Sequence, residues 1–335
     1  MTITTEISKL QENLANAYSS IEEKGATLPT NQNFDNLATA IDSIPSGSSS
    51  KYNLTIDSFI GDTDINGVLK TPTMVNDISF TGVTDIANSG LRGRFNGSNL
   101  TSVSFPSLTT ISGLLALSDA FRSCHQLTSV SFPLLANISG DNACSSAWNG
   151  CSNLTTIDFQ SLTTILSDSA FYYAFQMCSK LTSMSFPSLT TISGNSAFYY
   201  AFQSCYDLTS VSFPSLTTIS GNSALQFIFS SCSKLTSMSF PSLMDISLST
   251  STFTYAFAMC GNLTDVYFNA LKTTSFGSNI NQFNNMMGSN YGKTTICTLH
   301  FPSNLESTIQ TLTGYPLFGG SNGKVVLAYD LPATS

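Results

Sequence analysis

Charge is scarce in this chain. Lys, Arg, Asp and Glu make up 10% of its 335 residues, against about 25% in an average soluble domain. The little charge present is acidic, with 12 basic against 20 acidic side chains and a net charge of -8. That excludes the basic face that nucleic acid requires and the polybasic patch of a membrane-surface protein. No run reaches the 18 or so apolar residues of a spanning helix, so membrane insertion is not expected. Histidine is nearly absent, with only His125 and His300, and no C-x-x-C pair occurs, so a zinc centre lacks ligands. Phosphate-binding loops, dinucleotide fingerprints and nucleophile elbows are missing too, and no enzyme activity is expected. The opening residues, MTITTEISKL, show neither the basic nor the apolar region of a secretory signal. This predicts cytosolic synthesis and reduced cysteines.

What the chain has instead is a period. Cys124, Cys151, Cys178, Cys205 and Cys232 are spaced 27 residues apart, and Cys260 follows after 28. Phe105, Phe132, Phe159, Phe186, Phe213 and Phe240 keep the same spacing. In the unit from Leu181 the apolar positions are Leu181, Met184, Phe186, Leu189 and Ile192. The Met-x-Phe part alternates with period 2, which predicts a short strand with one face inward. Farther on, Phe198, Ala201, Phe202 and Cys205 fall at i, i+3, i+4 and i+7, the stripe of a short helix. Each unit is expected to be strand, turn and helical return. Nine strands are counted, starting near 75, 100, 127, 154, 181, 208, 235, 263 and 296. One unit cannot bury its apolar face alone, so the units stack into an α/β solenoid. The cysteines are read as small buried fillers.

Most residues flanking the inward Val or Met are serines, such as Ser183, Ser185, Ser210 and Ser212. A charge repeated there would face its copy about 4.8 Å away, at a cost of roughly 0.9 kcal/mol per pair even in bulk water. Hydroxyls avoid that cost. The one charged column, Lys180, Asp207 and Lys234, alternates in sign. Departures from the serine pattern are the candidate binding positions. Asp265, Tyr267 and Asn269 form one group, joined by an amide-rich insertion with Asn281, Gln282, Asn284, Asn285 and Tyr291. A second group, Tyr172, Tyr173, Tyr199 and Tyr200, lies on the return segment. Aromatic rings with amides suit the faces and hydroxyls of sugars. Asp158 and Asp265 are about four repeats apart, roughly 19 Å at the strand spacing, too far to act as paired hydrolytic carboxylates. Asp62, Asp64 and Asn66 match the first half of a calcium loop, D-x-D-x-N-G. The carboxylate due at its twelfth position is replaced by Thr73. A plain turn is the preferred reading, with calcium as the alternative, and no cofactor is expected.

The core L-x-x-V-x-F-P-x-L-x-x-I followed by A-F-x-x-C-x-x-L, as in Ala201, Phe202, Cys205 and Leu208, resembles the leucine-rich repeat and, more closely, its BspA-like subclass. The resemblance covers 75–310 and departs in unit length, since the usual unit is a few residues shorter. It implies a solenoid with a parallel sheet on one side. Members of the family are commonly adhesins and binding surfaces.

The first 46 residues hold eight charged side chains, whereas residues 98–245 hold nine in 148. Ile7, Leu10, Leu14, Ala17 and Ile21 are spaced 3-4-3-4, a heptad seam. One reading is an oligomerising or docking module, expected as a trimer. The other is a helical hairpin that caps the repeat. The stretch LQENLANAYSSIEEKGATLPTNQNFDNLATAIDSIPSG is similar to N-terminal segments of tail-associated and fibre-like bacteriophage proteins. The expected organisation is a helical attachment module at 1–46, a linker at 47–51, a cap at 52–74, repeats at 75–310 and a second cap at 311–335. That resemblance implies a virion protein, assembled in the host cytoplasm, that contacts other virion proteins through 1–46 and a host-surface glycan or protein through the repeats. The alternatives are a bacterial surface adhesin, or a virion decoration protein with the repeat as a spacer.

Overall fold

A computed structural model describes residues 14–19, 21–22, 52–55, 75–246, 250–272, 274, 283, 285–288, 296–311 and 325–334. The chain winds as a parallel β-solenoid. Among the described residues sixteen strands run β1 Tyr52–Thr55, β2 Val75–Ser79, β3 Ser102–Ser104, β4 Thr110–Ile111, β5 Ser129–Ser131, β6 Asn137–Ile138, β7 Thr156–Asp158 and β8 Thr164–Ile165. They continue as β9 Ser183–Ser185, β10 Thr191–Ile192, β11 Ser210–Ser212, β12 Thr218–Ile219, β13 Ser237–Ser239, β14 Asp265–Tyr267, β15 Cys297–Pro302 and β16 Val325–Leu331.

All nine strands expected from the period are present. Pairing joins β1-β2-β3-β5-β7, then β9-β11, then β13-β14-β15-β16, all parallel and laid in coil order. The register holds each position over its own copy, as in Val103 opposite Val130 and Ser102 opposite Ser129. A second face, β4-β6-β8-β10-β12, is built from the final x-x-I of each unit. One further strand, β1, pairs with β2 at one end, and another, β16, pairs with β15 at the other.

The return segment is not the expected helix. Its N–H groups alternate between two tasks. Those of Ala116, Ser118, Ala120, Arg122 and Cys124 close local turns on the carbonyl three residues back, at 2.9 to 3.3 Å. Those of Leu117, Asp119, Phe121 and Ser123 donate to the next coil, at 2.6 to 2.9 Å. Every fourth residue is left-handed, as at Leu115, Asp119 and Ser123. The buried residues accordingly recur with period 4, in the pairs Ala197–Phe198 and Ala201–Phe202 and then Cys205. Positions i, i+3, i+4 and i+7 satisfy a period of 4 as well as one of 3.6, so the sequence pattern fits both. Coil spacing decides between them. Helices pack about 8–10 Å apart, while strands pair about 4.8 Å apart. Here the spacing is alike on both sides, with ring centroids 5.2 Å apart for Phe186–Phe213 beside the strands and 5.0 Å for Phe175–Phe202 beside the turns. A turn ribbon fits that spacing and also sends half its N–H groups across to the neighbouring coil. An α-helix would keep them all.

The core is a set of aromatic columns. One runs Phe80, Phe105, Phe132, Phe159, Phe186, Phe213, Phe240, Phe268 and Phe301, with successive centroids 4.5 to 6.2 Å apart. Ring faces pack best about 3.5 Å apart, so a 5 Å repeat tilts each ring roughly 45° from the solenoid axis. Neighbouring columns tilt in opposite senses and meet nearly edge to face, at 72° for Phe105–Phe121 and 80° for Phe186–Phe198.

The repeated cysteines line one more column. Cys124, Cys151, Cys178, Cys205, Cys232 and Cys260 donate S–H to the carbonyls of Phe95, Phe121, Trp148, Phe175, Phe202 and Phe229, at 2.9 to 3.2 Å. All eight cysteines are free and buried. Burial raises the thiols of Cys144, Cys178, Cys205 and Cys232, that of Cys205 to about 12. In the charged column, Lys234 and Asp207 pair at 2.7 Å.

At the N-terminal end, Tyr18 and Ile21 are buried, and Leu14 and Ala17 pack half-buried against the same core. Three of the five seam residues therefore meet the solenoid of their own chain. Ile7 and Leu10 lie outside the described residues, as do Asp62, Asp64 and Asn66 of the calcium-loop match.

Candidate functional site

The serine face ends abruptly at β14. Pairing of β13, β14 and β15 places Ser239, Tyr267 and His300 in one row across the sheet. The rings of Tyr267 and His300 stack at 4.3 Å and 13°. Next to them, His300 is held between two carboxylates. Its Nε2 lies 3.0 Å from Asp265, and its Nδ1 lies 2.9 Å from both oxygens of Asp330 on β16. A carboxylate only accepts, so the arrangement is fully hydrogen-bonded when both ring nitrogens donate, as in the imidazolium. Burial works against that charge, but hydrogen bonds to Asp265 and Asp330, and their charges, raise the His300 pKa above its ordinary value. The hydrogen bond from His300 also lowers the Asp265 pKa, outweighing its burial.

In its protonated form His300 is a cation between two carboxylates, with an aromatic ring against it. A histidine with both nitrogens engaged is not available as a general base. Among the described residues, no three His, Cys, Asp or Glu side chains are grouped to hold a metal. What the arrangement presents is an aromatic ring beside hydroxyl and amide groups. One face of Tyr267 rests on His300, and the other looks along the sheet over Ser239. Asn269 accepts a hydrogen bond from that serine at 3.3 Å.

Asp265, Tyr267 and Asn269 thus share one site, as their positions in the repeat imply. His300 and Asp330 complete it. Their signal in the sequence was weak, a rare residue at a consensus serine position and an acid in a terminal strand. The amide-rich insertion does not join them through Asn285, the one candidate in it that is described. Asn285 lies on the turn side, where its carbonyl accepts the Tyr255 N–H at 3.2 Å. The neighbouring Phe283 packs on Phe253 and Phe268 in the core, so this stretch belongs to the return half of its coil. Asn281, Gln282, Asn284 and Tyr291 lie outside the described residues.

The tyrosine group forms two parallel columns on the turn side. Tyr172 stacks on Tyr199 at 5.1 Å, and Tyr173 on Tyr200 at 5.0 Å. The second column continues through Phe227 to Tyr255, at 4.3 and 4.8 Å. Within each pair the rings are nearly perpendicular, at 83° for Tyr172–Tyr173. Burial and the neighbouring tyrosines push the Tyr173 phenol up to about 12. Stacking covers most of these faces, so inside a column the rings present edges and hydroxyls to solvent.

The repeat itself is matched by the model of the BspA type leucine rich repeat region, in six copies over residues 92–201, 172–287 and 199–311. The chain belongs to this family. The match covers most of the solenoid, and the fold is of a kind that serves as a non-enzymatic interaction scaffold. A Faecalibacterium prausnitzii leucine rich cell surface protein is similar at 17% identity, covering 83% of this chain and 88% of that one, with a TM-score of 0.34. The T. pallidum leucine rich repeat protein is 22% identical, covering 50% of this chain and 58% of that one, with a TM-score of 0.27. This BspA-type chain therefore aligns with little more than half of the T. pallidum protein. An internalin from Listeria monocytogenes is 11% identical, with coverages of 70% and 64% and a TM-score of 0.29. No curated protein matches the chain.

Proposed function

We propose that this BspA-type protein is a non-enzymatic recognition protein of a bacteriophage particle, a receptor-binding tail or fibre component whose solenoid engages a glycan or protein on the bacterial host surface. The observation that carries recognition is the Tyr267–His300–Asp265–Asp330 cluster. It interrupts a mostly hydroxyl face with an aromatic ledge, an amide and a His–carboxylate cluster. Residues 1–46 are the attachment segment, and it is their likeness to phage tail-associated segments that supports placement in a virion. Labelled full-length protein is expected to bind host cells. Tyr267→Ala and Asn269→Ala are expected to weaken that binding while leaving the melting temperature within a few degrees. Equal binding by both variants would remove the site from the proposal.

A second reading is a bacterial surface adhesin, favoured by the BspA-type repeat itself. Antibody labelling of purified particles and of uninfected cells separates the two. Label confined to cells would favour the adhesin.

A further inference from the structure

In a solenoid of translated coils, an aromatic column hides its ring faces everywhere except at its ends. The tyrosine columns have two ends. At the far one, the first column stops at Tyr199, one coil before Gln226, and the second stops at Tyr255, where a Cβ built on Gly288 would sit 3.1 Å from the ring. At the near end, the residues one coil before Tyr172 and Tyr173 are Ser145 and Ser146, in register through the Ser146 N–H to Tyr172 carbonyl bond of 2.8 Å. Two tyrosine faces, tilted against each other, therefore look over two serines. One coil earlier still, Asp119 and Arg122 pair at 3.2 Å, both partly exposed.

The gap is one rung deep. Core rings of the same three coils, Phe121, Trp148 and Phe175, are 6.4 and 5.2 Å apart. Ring atoms make contact at about 3.5–4 Å on each face, so one ring fits between the Asp119 coil and the Tyr173 coil. The column also carries a conformational cost. Tyr173, Tyr200, Phe227 and Tyr255 are left-handed, with φ of 54 to 57°. The equivalent position one coil earlier is Ser146, and the flanking left-handed positions hold mostly serine. Bulky residues in this region cost about 1–3 kcal/mol each and persist where the surroundings hold them. Four consecutive coils bear that cost to keep aromatic rings on the surface.

We propose that the step between Ser145–Ser146 and Tyr172–Tyr173 is a second binding site, for a neutral pyranose ring that stacks on the open tyrosine faces as the missing rung of the column. The sugar's C–H face meets a tyrosine ring. Its hydroxyls meet the serines below and, on the opposite wall, a carboxylate that accepts beside a guanidinium that donates, a pair suited to vicinal hydroxyls. The site deepens the recognition function proposed above by naming a ligand class and a place remote from the sheet-face cluster.

The test uses free sugars, independent of cells. Saturation-transfer NMR is run on the full chain with millimolar methyl glycosides of glucose, galactose, N-acetylglucosamine and rhamnose. At least one is expected to receive saturation at its ring C–H protons. A Ser145→Tyr/Ser146→Tyr variant fills the rung and extends both columns. It is expected to stay folded and to weaken binding roughly tenfold or more. Tyr173→Ala is expected to do the same, while Tyr255→Leu at the covered end leaves binding unchanged. No transfer to any sugar, or equal transfer in the filled variant, overturns this site even if the protein still binds host cells. Loss of cell binding with sugar transfer intact would count against the recognition function and not against the site.

Discussion

The Nδ1 atom of His300 lies 2.9 Å from both carboxylate oxygens of Asp330, which ties β16 to the penultimate strand by a charge. The same ring reaches Asp265 on the strand before, so one imidazole spans three strands.

This bridge makes stability depend on pH with a definite sign. The folded His300 pKa is raised above its ordinary 6.5, so its contribution is full below 6.5 and fades as pH rises through the folded value. Asp265 is lowered from 3.8, so its contribution is full above 3.8 and fades as pH falls through the folded value. The cluster contributes most between those limits. Melting temperatures followed from within this range to higher pH are expected to fall on the alkaline side in the wild type and to fall less in His300→Gln. Parallel curves for the two proteins would show that the bridge does not set the dependence.

A core exchange offers a second measurement. Trp148 replaces phenylalanine in its column, and Cys144, four residues earlier, stands where other coils carry Leu117, Phe171, Phe198 or Phe253. The largest core side chain is thus matched with one of the smallest. Cys144→Phe alone is expected to cost about 1–3 kcal/mol by overpacking. The double change Cys144→Phe/Trp148→Phe restores the pairing of the next coil, Phe171 with Phe175. It also removes the buried Trp148 Nε1–H, which has no hydrogen-bond partner among the described residues. Its stability in urea is expected within about 1 kcal/mol of wild type, with coupling above about 1 kcal/mol. Additive single effects would refute the compensation.

The thiols give a third. They are buried, and burial holds most of them as the neutral, unreactive form. Titration with a disulfide reagent is expected to detect fewer than one thiol per native chain and eight after denaturation. Rapid labelling of several native thiols would mean that the column opens on the timescale of the assay.

Solution mass tests the N-terminal seam. A trimer needs Leu14, Ala17 and Ile21 at a contact between copies, whereas the fold packs them against the core of one copy. A monomer is expected. A trimer that dissociates on Leu10→Asp would restore the seam and make the packing of residues 14–22 secondary.

Much of this architecture was legible in the residue order alone. A 27-residue period shows which residues share a column, and alternation within Ser-Val-Ser shows which of them point outward. Nine strands, the buried cysteines and the candidate positions Asp265, Tyr267 and Asn269 all follow, because stacking copies every local property along the axis. The scarcity of charge has the same origin, since a charge in a column meets its own copy unless the sign alternates, as it does for Asp207 and Lys234.

Three things were decided only in three dimensions. The return half of each coil is a turn ribbon, because coils about 5 Å apart leave no room for helices, a constraint that i, i+3, i+4, i+7 spacing does not express. His300 joins Asp265 and Asp330 across 35 and 30 residues of chain, outside the reach of any one repeat. The sequence shows where the tyrosines are, but which of their faces is open depends on what stands in the adjacent coil. A ring between two others offers only its edge, and a ring above two serines offers its face.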